Sequence, residues 1–543
     1  MKKFIAAVLL IAFAGCARVG TTGGSQALGP FAHPHSLVIA DGAGDIPSLN
    51  PHLFTETTLA NIVELTMAYL ARYDRDNKPT PELATIIPTE ENGGISKDGK
   101  TITWHLRHGV KWSDGVPFNA DDVVFSTKAV LNPANNETGR DGWDLITKID
   151  EPDKYTVVYH LRKPYASYLP TFFGTAGANP CILPKHLLGN LPNINHAAYN
   201  AKPVGIGPFR VVQWRRGDAV EMEANPYYWR GQPKLKHITY KLIPSFDTTE
   251  TALQTGDINL WPLITSAFVD RVKAISTLNT ITQGSYYFVH LDFQMKRPIV
   301  SELPVREAIR YAINRPEIVS KINHGYGILQ ESMIPPNNPL HPTDIPSFGY
   351  EPAKAIALLE QDGWKVGPGG IRMKNGKRLS LTFPYFTGSS NADQMVELMR
   401  QELRAVGVEI QTRKYAPALF FAQIQDNGIV NKGDWDMTTF TWSADPNGDL
   451  SNIYECTQIP PNGQNATRYC NPKLDKLLEQ YKQTYNFDQH KKILDQEVTL
   501  VVGDAPTIVI DIPKYGFSWD KHLTGYAPNS VTPFDDMMNV DIK

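Results

Sequence analysis

Two periods of hydrophobic and polar residues run along this chain, and the switches between them mark its elements. Alternation with a period of two predicts strands over 36–40, 101–107, 154–160, 237–244 and 408–414. Apolar residues spaced three and four apart predict helices over 57–69, 248–255, 304–313, 351–363 and 391–406. Local chemistry places several ends. Asn119 can cap a helix whose first turn carries Asp121 and Asp122, and Pro304 suits the first turn of another. Gly256, Gly363 and Gly407 stop three of them. The β-rich run 436–442 predicts a buried strand, so Asp445 falls where that strand gives out into Pro446-Asn447-Gly448. On this pattern alone, Asp445 and Asp449 shape a turn through hydrogen bonds to their own backbone, and a carboxylate there can also sit at the mouth of a cleft. Strands and helices alternate throughout, which is an α/β arrangement with no fixed-period repeat.

A chain of 543 residues is too long for one ordinary core and implies two to four domains. With 42% hydrophobic and 20% charged residues, 41 prolines and 40 glycines, it has a globular, turn-rich composition. Net charge is −3 and no block of Lys or Arg could track a phosphate backbone, which argues against a nucleic-acid partner.

The N-terminus changes the picture more. Met1-Lys2-Lys3 precedes a short apolar run, 4–13, that reads as a secretory signal over residues 1–15. It ends in Ala14-Gly15-Cys16, which resembles the bacterial lipoprotein box, although Phe13 stands where Leu is usual. Cleavage there makes Cys16 a lipidated N-terminus and takes the net charge from −3 to −5. Residues 16–35 then read as a flexible tether. The expected location is the periplasm or the outer face of the cell membrane, held by lipid. Export permits disulfides, and Cys456 and Cys470 bracket a short loop that a bridge would close. Cys181 is left as a buried small apolar residue.

Three motifs suggest other chemistry and fail on context. Gly94-Ile-Ser-Lys-Asp-Gly-Lys-Thr101 satisfies the P-loop pattern, but a polar stretch precedes it and a strand follows, so it reads as a hairpin turn. Asp74-Arg-Asp-Asn-Lys78 starts like a calcium loop and lacks the sixth-position Gly and the twelfth-position Glu. His33-Pro-His35 could bind a metal but lies in the tether. No cofactor motif and no set of metal ligands emerges.

Six ordered stretches together resemble the family 5 extracellular solute-binding proteins of ABC transporters, the peptide-, dipeptide- and nickel-binding class. They are 104–126 (WHLRHGVKWSDGVPFNADDVVFS), 205–209 (GIGPF), 225–231 (NPYYWRG), 252–258 (ALQTGDI), 305–313 (VREAIRYAI) and 471–478 (NPKLDKLL). The resemblance implies an α/β fold: a two-lobed periplasmic-binding-protein clamshell (type II, cluster C) with an additional small α+β domain. Lobe I would combine 36–68, 203–285 and 514–543, the small domain would be 69–202, and lobe II would be 286–513. Two crossovers near 284–291 and 508–513 would form the hinge. The protein would act as a monomer and not as an enzyme, capturing peptide between the lobes for a membrane permease.

Peptide-binding members carry a Trp-x-x-Asp element whose Asp pairs with the ligand's α-ammonium group. The resemblance places Trp442-Ser-Ala-Asp445 there, with Trp442 as a flat wall. Burying an ammonium without an ionised acceptor would cost several kcal/mol, on the order given for unpaired buried charge. Tyr385 and Phe386 could line a side-chain pocket. No basic residue lies between Arg378 and Arg400 to hold a dipeptide's carboxylate, which favours longer peptides held through their backbone. The alternatives are another solute on the same fold (a nickel complex, an oligosaccharide or an opine), a secreted hydrolase, or a surface sensor without a transporter.

Overall fold

The computed structural model describes residues 33–543, apart from 43–44, 55, 75–77, 138, 141, 175–179, 389 and 530–531. Cys16, the residue expected to carry lipid, lies outside the described residues, as does the middle of the calcium-like loop after Asp74. Among the described residues no helix is long and apolar enough to cross a membrane.

One twisted sheet runs through the molecule. Its order is Met437–Ser443, Tyr287–Phe293, Thr507–Asp520, Leu260–Ile264, Ser36–Ala40, His237–Lys241, Ala219–Ala224 and Phe209–Arg215. The strand Thr507–Asp520 belongs to both halves. Its first half pairs with Tyr287–Phe293, as in Asp292 opposite Thr507, and its second half pairs with Leu278–Gly284, as in Gly284 opposite Lys514. Pro513 does not break it, because the Pro513 carbonyl still accepts from Ser285 N–H at 3.0 Å where the neighbouring chain crosses. Two crossings therefore lie side by side between the lobes. A pair of adjacent crossovers is where a hinge can bend.

Each lobe buries its own core. Leu37, Ile39, Leu59, Val63, Ile238 and Tyr240 anchor the first, and Cys181, Leu183 and Tyr199 pack into it from a distant stretch of chain. In the other lobe, alternation along strands splits the side chains between two faces: Leu291, Ile508 and Ile510 look one way, Phe288 and Val509 the other. A smaller antiparallel sheet, in the order Thr101–His105, Thr156–Leu161, Ile146–Asp153, carries the helix Ala120–Leu131 and encloses Trp104, Trp112, Val123 and Tyr159. This is the additional α+β domain. Its helix starts as the sequence predicts: Asn119 accepts from Asp121 N–H at 2.8 Å, and Asp122 returns a bond to Asn119 N–H at 3.1 Å.

The P-loop look-alike is a turn. Ser96 N–H donates to Thr101 O at 3.0 Å, and Ile95 bridges Ile102 across the hairpin. The helix predicted over 248–255 begins earlier, as Phe246–Thr255, because Ser245 accepts from Thr248 N–H and caps it.

Candidate functional site

Asp445 hangs from the end of the strand Met437–Ser443, which pairs antiparallel with Tyr287–Phe293 so that Trp442 faces Phe288 and Ser443 faces Tyr287. One more ladder bond, Ala444 N–H to Tyr286 O at 2.6 Å, carries the pairing to the residue before Asp445. The chain then folds on itself. Asp445 Oδ1 accepts from Asn447 N–H at 2.7 Å, and Gly448 N–H donates to Asp445 O at 2.9 Å. Gly448 takes φ +75°, and a Cβ there would lie 2.8 Å from Leu494 Cδ2, so both conformation and space call for glycine.

Residues from two domains hold this turn. Tyr73 donates its hydroxyl to Asn447 Oδ1 at 3.0 Å and Ser167 donates to Asp449 Oδ2 at 3.0 Å, both from the small domain. Asn338 Nδ2 donates to Pro446 O at 2.9 Å, and the Tyr481 hydroxyl donates to Asn447 O, both from the second lobe. Asp449 also accepts from Ser451 N–H at 2.9 Å. Asp449 is thereby a structural brace, while the Asp445 carboxylate accepts from the turn's own backbone, at Asn447 and Asp449.

The electrostatics follow from that enclosure. Asp445 is half-buried. Burial, with Asp449 as a like charge beside it, pushes its carboxyl up to about 7. Among the described residues no Lys, Arg or His forms an ion pair with it. The site therefore offers an acceptor that gains from any arriving cation. Below the turn, Glu497 is fully buried and shifted upward by burial and by Asp449. His490 stacks on Tyr481 with ring centres 3.5 Å apart and is pushed down to about 4, burial outweighing Asp449.

A cleft of about 280 Å³ opens on the outer side of the turn, between the small domain and the second lobe. Tyr73, Tyr168, Tyr485, Asn338, Pro446 and Asn447 are among its walls. The Tyr485 hydroxyl bonds both Tyr165 N–H and Gly99 O at 3.0 Å, and Lys163 pairs with Glu479 at 2.9 Å, so the two domains are tied at this mouth.

Trp442 is half-buried, its ring 5.9 Å from Phe440, and it lines a second, small cavity inside the second lobe. Tyr385 and Phe386 end the strand Ser380–Phe386 and are not brought to Asp445. Tyr385 sits in the second lobe's core beside Phe383, with Lys414 over its ring at 5.6 Å. Phe386 packs on Phe420 and Phe421 at 5.7 and 5.5 Å, and Phe421 leads through Phe440 to Trp442. Cys456 and Cys470 are joined in a disulfide, and Cys181 is buried as a free thiol. Tyr73 and Tyr481 escape sequence reasoning, since nothing local marks a tyrosine as the partner of a turn 374 or 34 residues away. Phe440 was accessible through its alternation with Trp442.

Residues 78–464 match the profile of the bacterial extracellular solute-binding proteins, family 5 Middle. The oligopeptide-binding protein AppA of Bacillus subtilis (strain 168) is 27% identical over 93% of this chain and 90% of its own length. The dipeptide-binding protein of Escherichia coli (strain K12) is 25% identical over 89% and 90%. Among solved structures, Bacillus subtilis AppA in complex with a nonapeptide superposes with a TM-score of 0.80 at 25% identity, covering 94% of this chain and 99% of that one. NikZ from Campylobacter jejuni in complex with Ni(L-His) gives 0.78 at 26% identity, over 91% and 96%.

Proposed function

Because this chain belongs to family 5 of the bacterial extracellular solute-binding proteins, which are binding components and not enzymes, we propose that it captures oligopeptides between its lobes for an ABC importer. The observation that carries this reading is Asp445: a carboxylate at a strand end, in a turn held by side chains of the small domain and the second lobe, and left without an ion-pair partner among the described residues. The α-ammonium group of a peptide is the complement of that site. Trp442, next along the strand, supplies an apolar wall, and the peptide's backbone would pair with the polar strand end. Tyr385 and Phe386 serve at a distance, as supports of the second lobe and of the aromatic row leading to Trp442.

In this reading lobe I comprises 36–68, 203–285 and 514–543, the small domain 69–202 and lobe II 286–513, with 181–199 lending side chains to the first core. The hinge is the pair of crossings at Ser285 and Pro513. Ligand shifts the lobes toward closure, and the closed monomer docks on membrane permease subunits. Cys16 carries the lipid that keeps the protein at the membrane surface.

Native mass spectrometry of the mature protein as purified tests the reading. A ladder of peptide masses released on denaturation is the expected result, and a single sugar or metal complex would overturn it.

A further inference from the structure

Behind Trp442 lies the small cavity of the second lobe, about 20 Å³, room for a group the size of one water molecule. Phe288, His290 and Asp292 project into it from one face of their strand, since alternate residues share a face. The other walls are Phe440 and Trp442 of the neighbouring strand and Thr507 opposite Asp292. Tyr454 and the stretch 464–467 roof it, and that stretch lies within the loop closed by the Cys456–Cys470 disulfide.

His290 is the polar centre of this cavity. It is 3% exposed, and its Nδ1 faces Asp292 Oδ1 at 3.0 Å, while Thr507 donates to the same oxygen at 2.7 Å. Oδ1 is an acceptor for both, so in the neutral ring Nδ1 bears the proton and Nε2 presents a lone pair. No protein atom among the described residues bonds Nε2. A buried ring nitrogen without a partner loses free energy that a ligand donor would restore. The surroundings select the donor. Phe440 approaches the imidazole edge-on at 4.3 Å, Phe288 lies at 5.3 Å, and Asp292 stands behind the ring. Aromatic rings and a carboxylate in the walls favour a cation, and a volume of about one water admits an ammonium but not a four-atom guanidinium.

We propose that this cavity is a side-chain subsite that receives a primary ammonium, such as the end of a lysine side chain, on His290 Nε2. Trp442 lines this cavity and stands three residues before Asp445 in the chain, which sets the subsite near the main-chain anchor. This rests on the peptide-binding reading above and adds a selectivity to it.

The test is calorimetry of the full-length protein with alanine tripeptides bearing lysine, norleucine or arginine in turn at each position. Lysine at one position should bind at least tenfold tighter than norleucine or arginine there. His290→Phe should remove that preference and leave the norleucine peptide within about twofold. A measurement without a variant stands beside it: on ¹⁵N-histidine-labelled protein, one buried Nε2 resonance should shift with the lysine peptide and stay in place with the norleucine peptide. Peptides that all bind without a lysine preference, or a preference that survives His290→Phe, would overturn the subsite alone. Failure of every peptide to bind would overturn both readings.

Discussion

Replacing Asp445 by Asn tests the central claim most directly, because the amide keeps the turn while removing the charge. Asn Oδ1 can still accept from Asn447 N–H, the bond that Asp445 makes at 2.7 Å. Removing one partner of a buried ion pair costs about 3–5 kcal/mol, and the half-buried setting of Asp445 brings the expected loss to roughly 2–3 kcal/mol, or about 30- to 150-fold in Kd. The pH profile sharpens the test. Asp445 has its carboxyl pushed up to about 7 in the unliganded protein, whereas an ammonium requires the ionised form. Affinity should therefore fall by up to about tenfold per pH unit below 7, and fall again above about 8 as the peptide's own α-amino group loses its proton. Asp445→Asn should lose the acid limb. Stability should move the opposite way. A carboxylate whose pKa is raised on folding costs stability as pH climbs from the unfolded value near 4 through about 7, so the unliganded variant should melt above wild type at pH 8. Calorimetry of a tight-binding peptide at pH 8 and pH 5.5, with melting curves of both proteins, covers these outcomes. A Kd unchanged within twofold at pH 8 would remove Asp445 from the site.

Two further outcomes concern the frame. His52 and Glu137 form a fully buried pair at 2.8 Å between the first lobe and the small domain. Burial favours neutral imidazole, yet Glu137 and the Cys181 carbonyl outweigh it and push His52 up to about 10. That contribution is complete below the unfolded histidine value near 6.5 and is lost as pH rises through about 10; Glu137→Gln should remove it, cost about 3 kcal/mol and lower the melting temperature at pH 6. Mutating Cys456 and Cys470 together to Ser opens a 14-residue loop and should cost about 3 kcal/mol in chemical denaturation. No change in the denaturation midpoint would mean that the loop's packing holds it without the bridge.

Much of the architecture is legible locally because helix caps and strand alternation depend on near neighbours. Asn119 with Asp122, Ser245 before its helix, and the alternation of Phe440 with Trp442 each act within a few residues. The turn at Asp445 belongs to the same class, since its own backbone supplies the N–H groups. What the turn is for depends on contacts no local pattern records. Tyr73 reaches Asn447 across 374 residues, and Ser167 reaches Asp449 across 282. The strand Thr507–Asp520 enters the sequence reading only as a crossover near 508–513, and its two sets of partners make it common to both lobes. Tyr385 is an aromatic at a strand end in sequence, and burial beside Phe383 makes it core. His290 and Asp292 are two residues of a strand until Thr507, Phe440 and the disulfide-closed loop shut them into a cavity. The sequence by itself determined many of the elements and the presence of a carboxylate at a strand terminus. The tertiary structure alone decided which carboxylate stands without a cation and which histidine nitrogen without a donor, because desolvation and pairing are properties of everything packed around a group.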